Sequence, residues 1–101
     1  MPRWNVVKRY YVYVLMCTDG TFYVGITNNV ERRLGEHNLG IDPHCYTFTR
    51  RPVVCMHVSE FGQVCEALQC EKQLKGWSHA KKSALCRGDW ALVRALAKRK
   101  A

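Results

Sequence analysis

The segment YYVYVLMCTDGTFYVGIT, residues 10–27, decides the fold, because it contains two strand patterns separated by a turn. Every residue from Tyr10 to Cys17 is apolar or aromatic, which is typical of a strand that is covered on both faces. The residues Thr18-Asp19-Gly20 are typical of a turn, and Thr21 to Thr27 follows as a second strand. The segment therefore predicts an antiparallel hairpin.

The length of the hairpin loop decides which way the two tyrosines of interest face. A two-residue loop would put Tyr13 and Tyr23 on opposite faces of the sheet. A three-residue loop, with Gly20 in the left-handed conformation, would put both on one face and set Tyr13 opposite Gly25, which leaves open space beside it. A shared site requires the three-residue loop, whereas two ordinary core tyrosines fit either loop.

The rest of the chain predicts one more strand and four helices. The expected elements are a helix from Val30 to about Asn38, a loop from Leu39 to Pro52, a strand from Val53 to Ser59, and helices from Gln63 to about Trp77, His79 to Arg87 and Trp90 to about Lys98. The expected class is α/β of the α+β type, with a small three-stranded, largely antiparallel sheet flanked by helices in the order ββαβααα. A chain of 101 residues suits one domain, over residues 1–101.

The composition favours a cytoplasmic protein that binds a polyanion. The formal net charge is +8, and a small basic domain favours nucleic acid ahead of an acidic membrane surface. No apolar run is long enough to cross a membrane, and the N-terminal stretch lacks the pattern of a signal peptide. The six cysteines include no CxxC pair, so we expect free thiols in a reducing cytosol.

The first predicted helix carries an arginine and a histidine where its apolar face should be. Val30 and Leu34 define that face. Arg33 and His37 lie within about 60° of Val30 on the helical wheel, whereas Arg32 points to solvent. One interpretation is that Arg33 and His37 line a cleft beside the glycine-ended strand, where an anionic phosphate meets them. The other is that Arg33 extends out of the core edge and His37 is a partly buried helix-end residue.

The second predicted helix places a carboxylate on its apolar face. Four residues mark this face: Val64, Ala67, Leu68 and Leu74. Glu71 falls in the middle of the face, and a buried carboxylate needs a cation, hydrogen-bond donors or a metal. The pattern allows an ion pair with Lys75, four residues further on, as well as a metal ligand in a cleft.

These residues, taken in order, resemble the GIY-YIG nuclease domain over nearly the whole chain. The similar residues are Tyr11-Val12-Tyr13, Tyr23-Val24-Gly25, Arg33, His37, and Glu71 within EALQCEKQLKGW (66–77). The segments YTFTRRP (46–52) and KKSALCRGDW (81–90) are similar to small standalone bacterial members of the family. Two positions differ: Tyr11 stands in place of the first motif's glycine, and Ile26 where DNA-repair relatives have a lysine.

The resemblance implies an endonuclease that hydrolyses nucleic-acid phosphodiester bonds with one divalent metal, in DNA repair or processing. By position, Tyr13 and Tyr23 match the two motif tyrosines. Arg33 matches the family arginine, and His37 a position that holds histidine or tyrosine. Glu71 matches the metal-binding glutamate, for which Mg²⁺ or Mn²⁺ is the expected cofactor. From its length we expect the chain to lack the separate DNA-binding domain of homing and repair relatives, which is compatible with a protein partner for targeting.

The general base has two candidates. A free tyrosine has a pKa near ~10 and is a poor base at neutral pH, whereas the pKa of a histidine lies closer to neutrality. We expect a tyrosine, Tyr13 or Tyr23, with His37 assisting, and we keep His37 itself as the alternative. Arg33 can donate to two non-bridging phosphate oxygens.

Nucleic acid is the expected partner, with DNA favoured over RNA. Five basic residues are candidates to contact it: Arg32, Arg50, Arg51, Lys72 and Lys75. Two other functions fit the same charge, namely a catalytically weak or inactive nucleic-acid-binding module and a basic adaptor for an acidic protein. Binding without metal-dependent cleavage would indicate the module. Binding that survives high salt would indicate the adaptor, since phosphate contacts weaken with salt.

Overall fold

The computed structural model describes residues 8–98, which form a three-stranded antiparallel sheet with helices on both faces. The strands are β1 (Tyr10–Met16), β2 (Phe22–Thr27) and β3 (Val54–Phe61), and their order in the sheet is β2-β1-β3. The helices are α1 (Val30–Leu39), α2 (Val64–Lys75), α3 (His79–Cys86) and α4 (Trp90–Lys98), and a short 3₁₀ helix, Phe48–Arg50, precedes β3. The predicted fold class and element order are confirmed.

The single domain predicted over residues 1–101 extends beyond the described part at both ends. Residues 1–7 and 99–101 lie outside it, as does most of the stretch that was tested for a signal peptide. Within residues 8–98, no helix combines the length and the apolar character that a membrane span requires.

The β1–β2 hairpin has the three-residue loop. The Cys17 N–H donates to the Thr21 carbonyl at 2.8 Å, and Gly20 has a φ of 82°, in the left-handed region that favours glycine. The opposed pairs are therefore Tyr13 with Gly25 and Leu15 with Tyr23. Both tyrosines lie on one face, as a shared site requires.

The central strand β1 has a buried cluster on each of its faces. One face, here called the tyrosine face, carries Tyr13, Leu15 and Tyr23 and is covered by Leu34 of α1. The other, the valine face, carries Val12, Val14 and Val24 and is covered by α2, α3 and α4 through Ala67, Leu74, Ala84, Leu85 and Val93. The strand alternates because successive side chains point to opposite faces, so each face requires its own helical cover.

The buried side of α2 is rotated from the one that the sequence predicts. Val64 and Leu68 are exposed, which makes that part of the prediction wrong. The helix instead packs through Ala67 and Leu74, with Cys70 partly buried between them. Glu71 therefore lies at the edge of the buried stripe and not in its middle, and its side chain keeps 17% of its surface exposed.

We predict that Gly20→Ala lowers the free energy of unfolding by about 1 kcal/mol, because an L-residue is strained at this φ. An added Cβ would meet nothing within 4 Å, so the loss is conformational and not steric. Gly35→Ala in α1 also adds a Cβ that meets nothing within 4 Å, and it should be neutral or stabilising. Urea denaturation measures both variants, and an unchanged midpoint for Gly20→Ala would contradict the left-handed turn.

Candidate active site

The tyrosine face brings together four of the five predicted catalytic residues. The ring centroids of Tyr13 and Tyr23 are 6.4 Å apart, and those of Tyr23 and His37 are 5.1 Å apart. Arg33, one turn before His37 on α1, lies close enough to lower the pKa of both phenols in part. The hairpin register and the helical spacing of four residues together produce this cluster.

His37 is buried and bonded at both ring nitrogens. Its Nε2 lies 3.0 Å from the Tyr13 hydroxyl oxygen, and its Nδ1 lies 2.8 Å from the Thr47 hydroxyl oxygen. Burial lowers the pKa of His37, and the nearby Arg33 charge lowers it further. The imidazole is therefore neutral at pH 7 and has one nitrogen free to accept a proton.

The two phenols are neutral at pH 7 as well. Burial raises the pKa of Tyr13 to about 12, against the opposing effect of Arg33. Burial also raises the pKa of Tyr23, and the Cys45 thiol adds to that effect. A phenolate is thus not available in advance, and a tyrosine can act as a base only if its own proton passes to another group.

Gly25 gives room to the ring of Tyr13. A Cβ at position 25 would collide with the Tyr13 hydroxyl oxygen and with the ring carbon that bears it. The expectation of open space beside Tyr13 is therefore wrong, because the tyrosine's own ring occupies it. Glycine is required here so that Tyr13 can lie flat across β2 and reach His37.

Arg33 already has an anionic partner within α1. Its Nη1 lies 3.0 Å from Glu36 Oε1, and its side chain is 30% exposed. The sequence interpretation left this carboxylate out and expected a phosphate to meet the guanidinium. The bond to Glu36 uses one of five N–H donors, so Arg33 retains donors for a further anion.

A segment that the sequence predicted as a plain loop forms one wall of the cluster. We call residues 40–53 the wall segment. Thr47 is buried against His37, and the Cys45 sulfur lies 3.7 Å from His37 Nδ1. Tyr46 stacks on Tyr23 with ring centroids 6.4 Å apart and planes 17° apart. The sequence predicted no role for Thr47, Cys45 or Tyr46. The segment YTFTRRP (46–52), which is similar to small family members, includes two of them and could have indicated a role.

Arg50 and Arg51 hold the wall segment in place. Arg50 Nε lies 3.0 Å from Asp19 Oδ2 in the hairpin turn, and its guanidinium lies 3.8 Å above the Tyr46 ring. Arg51 Nε donates to the Phe48 carbonyl at 2.7 Å. That either residue contacts nucleic acid stays a prediction, and both already have partners within the chain.

The other three basic candidates lie on helical surfaces. Arg32 is exposed and donates to the Asn28 side-chain oxygen at 2.9 Å. Lys72 is exposed on α2. Lys75, one turn after Glu71, is 57% exposed, and its Nζ lies 3.5 Å from Glu71 Oε2.

Glu71 comes from a different helix and, within the described part of the chain, is bonded to none of the other four catalytic candidates. It belongs to α2, which covers the valine face, whereas the cluster lies on the tyrosine face. Among residues 8–98, no hydrogen bond or ion pair joins Glu71 to Tyr13, Tyr23, Arg33 or His37. The structure thus brings four candidates together and leaves the fifth beside Lys75.

The side chain of Glu71 is suited to anchor a hard cation, with help from outside the protein. Its carboxylate accepts no hydrogen bond from any described residue, and its contact with Lys75 is loose at 3.5 Å. Carboxylate oxygen is a ligand that Mg²⁺ prefers. Residues 8–98 contain no group of three His, Cys, Asp or Glu side chains that could hold a metal. A cation held by Glu71 would therefore take its other ligands from water and a substrate phosphate.

The chain is similar to known proteins in both sequence and fold. The family model of the GIY-YIG catalytic domain matches residues 9–84. A UPF0213 protein of Halobacterium salinarum is 45% identical over 76 residues, which cover 75% of this chain and 97% of the relative. A UPF0213 protein of Natronomonas pharaonis is 46% identical over 76 residues, covering 75% of this chain and 88% of that protein.

A protein from E. faecalis, solved by solution NMR, has a similar structure. Its TM-score is 0.57 and its identity 36%, with 83% of this chain and 88% of that chain covered. The region that the family model matches, residues 9–84, includes both strands of the hairpin, α1 and α2. It therefore contains all five catalytic candidates. The chain therefore belongs to the GIY-YIG catalytic domain family.

Proposed function

We propose that this protein is a metal-dependent endonuclease that hydrolyses phosphodiester bonds in DNA during repair or processing. Family membership supports nuclease chemistry. The observation that carries the proposal for this chain is the bond of 3.0 Å between the Tyr13 hydroxyl and a buried, neutral His37, with Arg33 beside it. This arrangement combines a proton acceptor with a binding site for phosphate oxygens.

Tyr13 and His37 act as a proton relay in this proposal. The attacking water gives a proton to the Tyr13 oxygen while Tyr13 gives its own proton to His37 Nε2. The water oxygen bonds to phosphorus as the P–O bond to the leaving oxygen breaks, and the leaving oxygen takes a proton from solvent. The relay avoids a free phenolate, which a pKa of about 12 makes scarce at neutral pH. Only 2% of Tyr13 is exposed, so the side chains that cover it must shift when substrate binds.

Arg33 and Tyr23 hold the phosphate in this scheme. Arg33 donates to non-bridging oxygens with the donors that Glu36 does not use. Tyr23 is half-buried at the mouth of the cluster and presents its hydroxyl to the same group. Stabilising the charge that develops on the phosphate is the main task of such a site.

Glu71 would hold the divalent cation, which when bound supplies charge neutralisation at the phosphate. Lys75 competes with a cation for this carboxylate in the absence of substrate. Mg²⁺ or Mn²⁺ fits the single carboxylate ligand.

A binding module without turnover is the second candidate. The ion pair of Glu71 with Lys75, and the absence of a bond from Glu71 to the four residues of the cluster within residues 8–98, favour it. The basic surface and Arg33 would bind nucleic acid equally well in either case.

We predict that Tyr23→Phe and Glu71→Ala each reduce metal-dependent cleavage by about 100-fold or more and leave the fold intact. Tyr10→Phe is the matched control for the tyrosine, because Tyr10 packs against the valine-face cluster. Glu66→Ala is the control for the carboxylate, because Glu66 is exposed in the first turn of the same helix. Cleavage is measured on a panel of single-stranded, flap, branched and duplex DNA and RNA, with and without EDTA.

Full activity of Glu71→Ala would contradict the metal site. If the wild type binds these nucleic acids but does not cleave them in Mg²⁺ or Mn²⁺, the protein is a binding module and not a nuclease. Circular dichroism of each variant shows whether the fold is retained.

We predict that cleavage falls at acidic pH with a midpoint below the usual histidine value of 6.5. As the pH falls, His37 gains a proton and can no longer accept one from Tyr13, so the rate is lost on the acid side and retained at neutral pH. Burial is the largest cause of this low pKa, the Arg33 charge lowers the pKa further, and the Glu36 charge opposes both. The other titratable groups that face the ring are Tyr13 on β1, Tyr23 on β2 and Cys45 in the wall segment.

His57→Gln is the matched control for this pH profile. Burial also lowers the pKa of His57, but this residue lies on β3 opposite Val14, on the valine face. The loss of cleavage rate at acidic pH should persist in His57→Gln. In His37→Gln this loss should disappear, and the residual rate should be independent of pH. An unchanged loss of rate at acidic pH in His37→Gln would remove His37 from the relay.

A further inference from the structure

The hydrogen bonds of His37 extend past the proposed relay to Thr47. Thr47 is 1% exposed, and its hydroxyl oxygen lies 2.8 Å from His37 Nδ1 and 3.4 Å from the Cys45 sulfur. No step of the relay uses this hydroxyl. A buried hydroxyl against the second nitrogen of a histidine can decide which nitrogen carries the proton.

The wall segment fixes the position of Thr47. The Phe48 N–H donates to the Cys45 carbonyl at 3.0 Å, and the Arg50 N–H donates to the Thr47 carbonyl at 2.9 Å. The bond between Arg50 and Asp19 ties this turn to the hairpin. Thr47 is therefore held in place by backbone bonds and not by its contact with His37 alone.

The Tyr13 hydroxyl proton has one acceptor among residues 8–98, which is His37 Nε2. If Nε2 carried a proton, it and the Tyr13 hydroxyl would both be donors. The Tyr13 proton would then be buried without an acceptor, which native structures avoid.

A proton on Nδ1 gives every donor an acceptor. The Tyr13 hydroxyl then donates to His37 Nε2, His37 Nδ1–H donates to the Thr47 oxygen, and the Thr47 hydroxyl donates to the Cys45 sulfur. Burial raises the pKa of Cys45, but the hydrogen bonds from Thr47 and Tyr23 and the Arg33 charge together leave this pKa below its usual value, which fits a Thr47 hydroxyl that donates to the sulfur.

We propose that Thr47 is a positioning residue whose hydroxyl oxygen holds the imidazole proton of His37 on Nδ1, so that the lone pair on Nε2 faces Tyr13. Its effect on cleavage rests on the proposed nuclease function, whereas its effect on the imidazole does not. The Cys45 sulfur is the competing acceptor, but it lies 3.7 Å from Nδ1 and sulfur accepts weakly.

Nitrogen-15 NMR of the imidazole rings tests this directly, since two-bond correlations show which nitrogen is protonated. The chain has four histidines, and His37→Gln identifies the signals of His37. At pH 7.5 the wild type should show a single neutral tautomer of His37 with the proton on Nδ1. A proton on Nε2 in the wild type would overturn the proposal, and this result requires no variant of Thr47.

Thr47→Val keeps the shape of the side chain and removes the oxygen. This variant leaves one donor without an acceptor in either tautomer of His37, so we expect the two tautomers to become comparably populated, whereas Thr47→Ser should retain the proton on Nδ1. Cys45→Ala is the matched control, because it removes the sulfur and leaves the Thr47 oxygen. Retention of the Nδ1 proton in Thr47→Val, or its loss in Cys45→Ala, would assign the role to another group.

Cleavage provides the second measurement. Thr47→Val should lose activity about twofold or more, in proportion to the fraction of molecules whose proton moves to Nε2, and Thr47→Ser should stay close to the wild type, because the relay depends on the lone pair at Nε2. If the wild type cuts no substrate while the tautomers behave as described, the nuclease proposal fails and the role of Thr47 stands. If the wild type cuts and Thr47→Val cuts equally well, the catalytic consequence is refuted.

Discussion

The left-handed turn at Gly20 is the constraint on which the candidate site depends. It makes the hairpin loop three residues long, and that length sets Tyr13 opposite Gly25 and Tyr23 opposite Leu15 on the tyrosine face. A slip of one residue would move Tyr23 to the valine face, where α2 packs. Neither Arg33 nor His37 would then have a second phenol beside it, because α1 covers only the tyrosine face.

The cluster places neutral groups in the interior and keeps its charge at the edge. Tyr13, His37 and Thr47 are buried and bonded to one another, and no buried side-chain polar atom of the described part lacks a hydrogen-bond partner. Arg33 carries the charge, is partly exposed, and is balanced by Glu36. A phosphate that approaches Arg33 can therefore use the donors that Glu36 leaves free, and no buried ion pair has to break.

Local patterns in the sequence were sufficient for much of this architecture. The three strands and the four helices follow from short-range residue preferences, and the structure confirms them. At the N-termini of α3 and α4, the side chains of Ser78 and Asp89 accept hydrogen bonds from the N–H groups of Lys81 and Leu92. The hairpin register required a choice that the sequence left open between two loop lengths. The spacing of Arg33 and His37 on α1 was visible in the helical period and placed both at the tyrosine face.

The parts that sequence reasoning missed depend on distant contacts. The wall segment has no periodic pattern, and its shape comes from bonds across long separations, such as Arg50 to Asp19 and Tyr46 to Thr21. The rotation of α2 that exposes Val64 and Leu68 follows from how Ala67 and Leu74 pack on the sheet. A helical wheel shows the spacing of residues on one helix but gives no information on its contacts with the sheet. The ion pair of Arg33 with Glu36 could have been predicted from the sequence, since the two residues are three apart on a helix.

The position of Glu71 bears most directly on whether the site is catalytic. Four candidates meet on the tyrosine face, and the carboxylate lies on a helix of the valine face with Lys75 as its partner. Catalysis in our account requires a substrate phosphate to connect the two through a shared cation. Binding alone requires only Arg33 and the basic surface.

A crystal structure of the Tyr23→Phe variant with Mn²⁺ and a DNA oligonucleotide is the most direct test, because the anomalous signal of manganese locates the ion independently of the rest of the map. We predict a phosphate within hydrogen-bond distance of Arg33, with the manganese peak between that phosphate and Glu71. A phosphate bound elsewhere, with Arg33 still on Glu36 and Lys75 still on Glu71, would contradict the account.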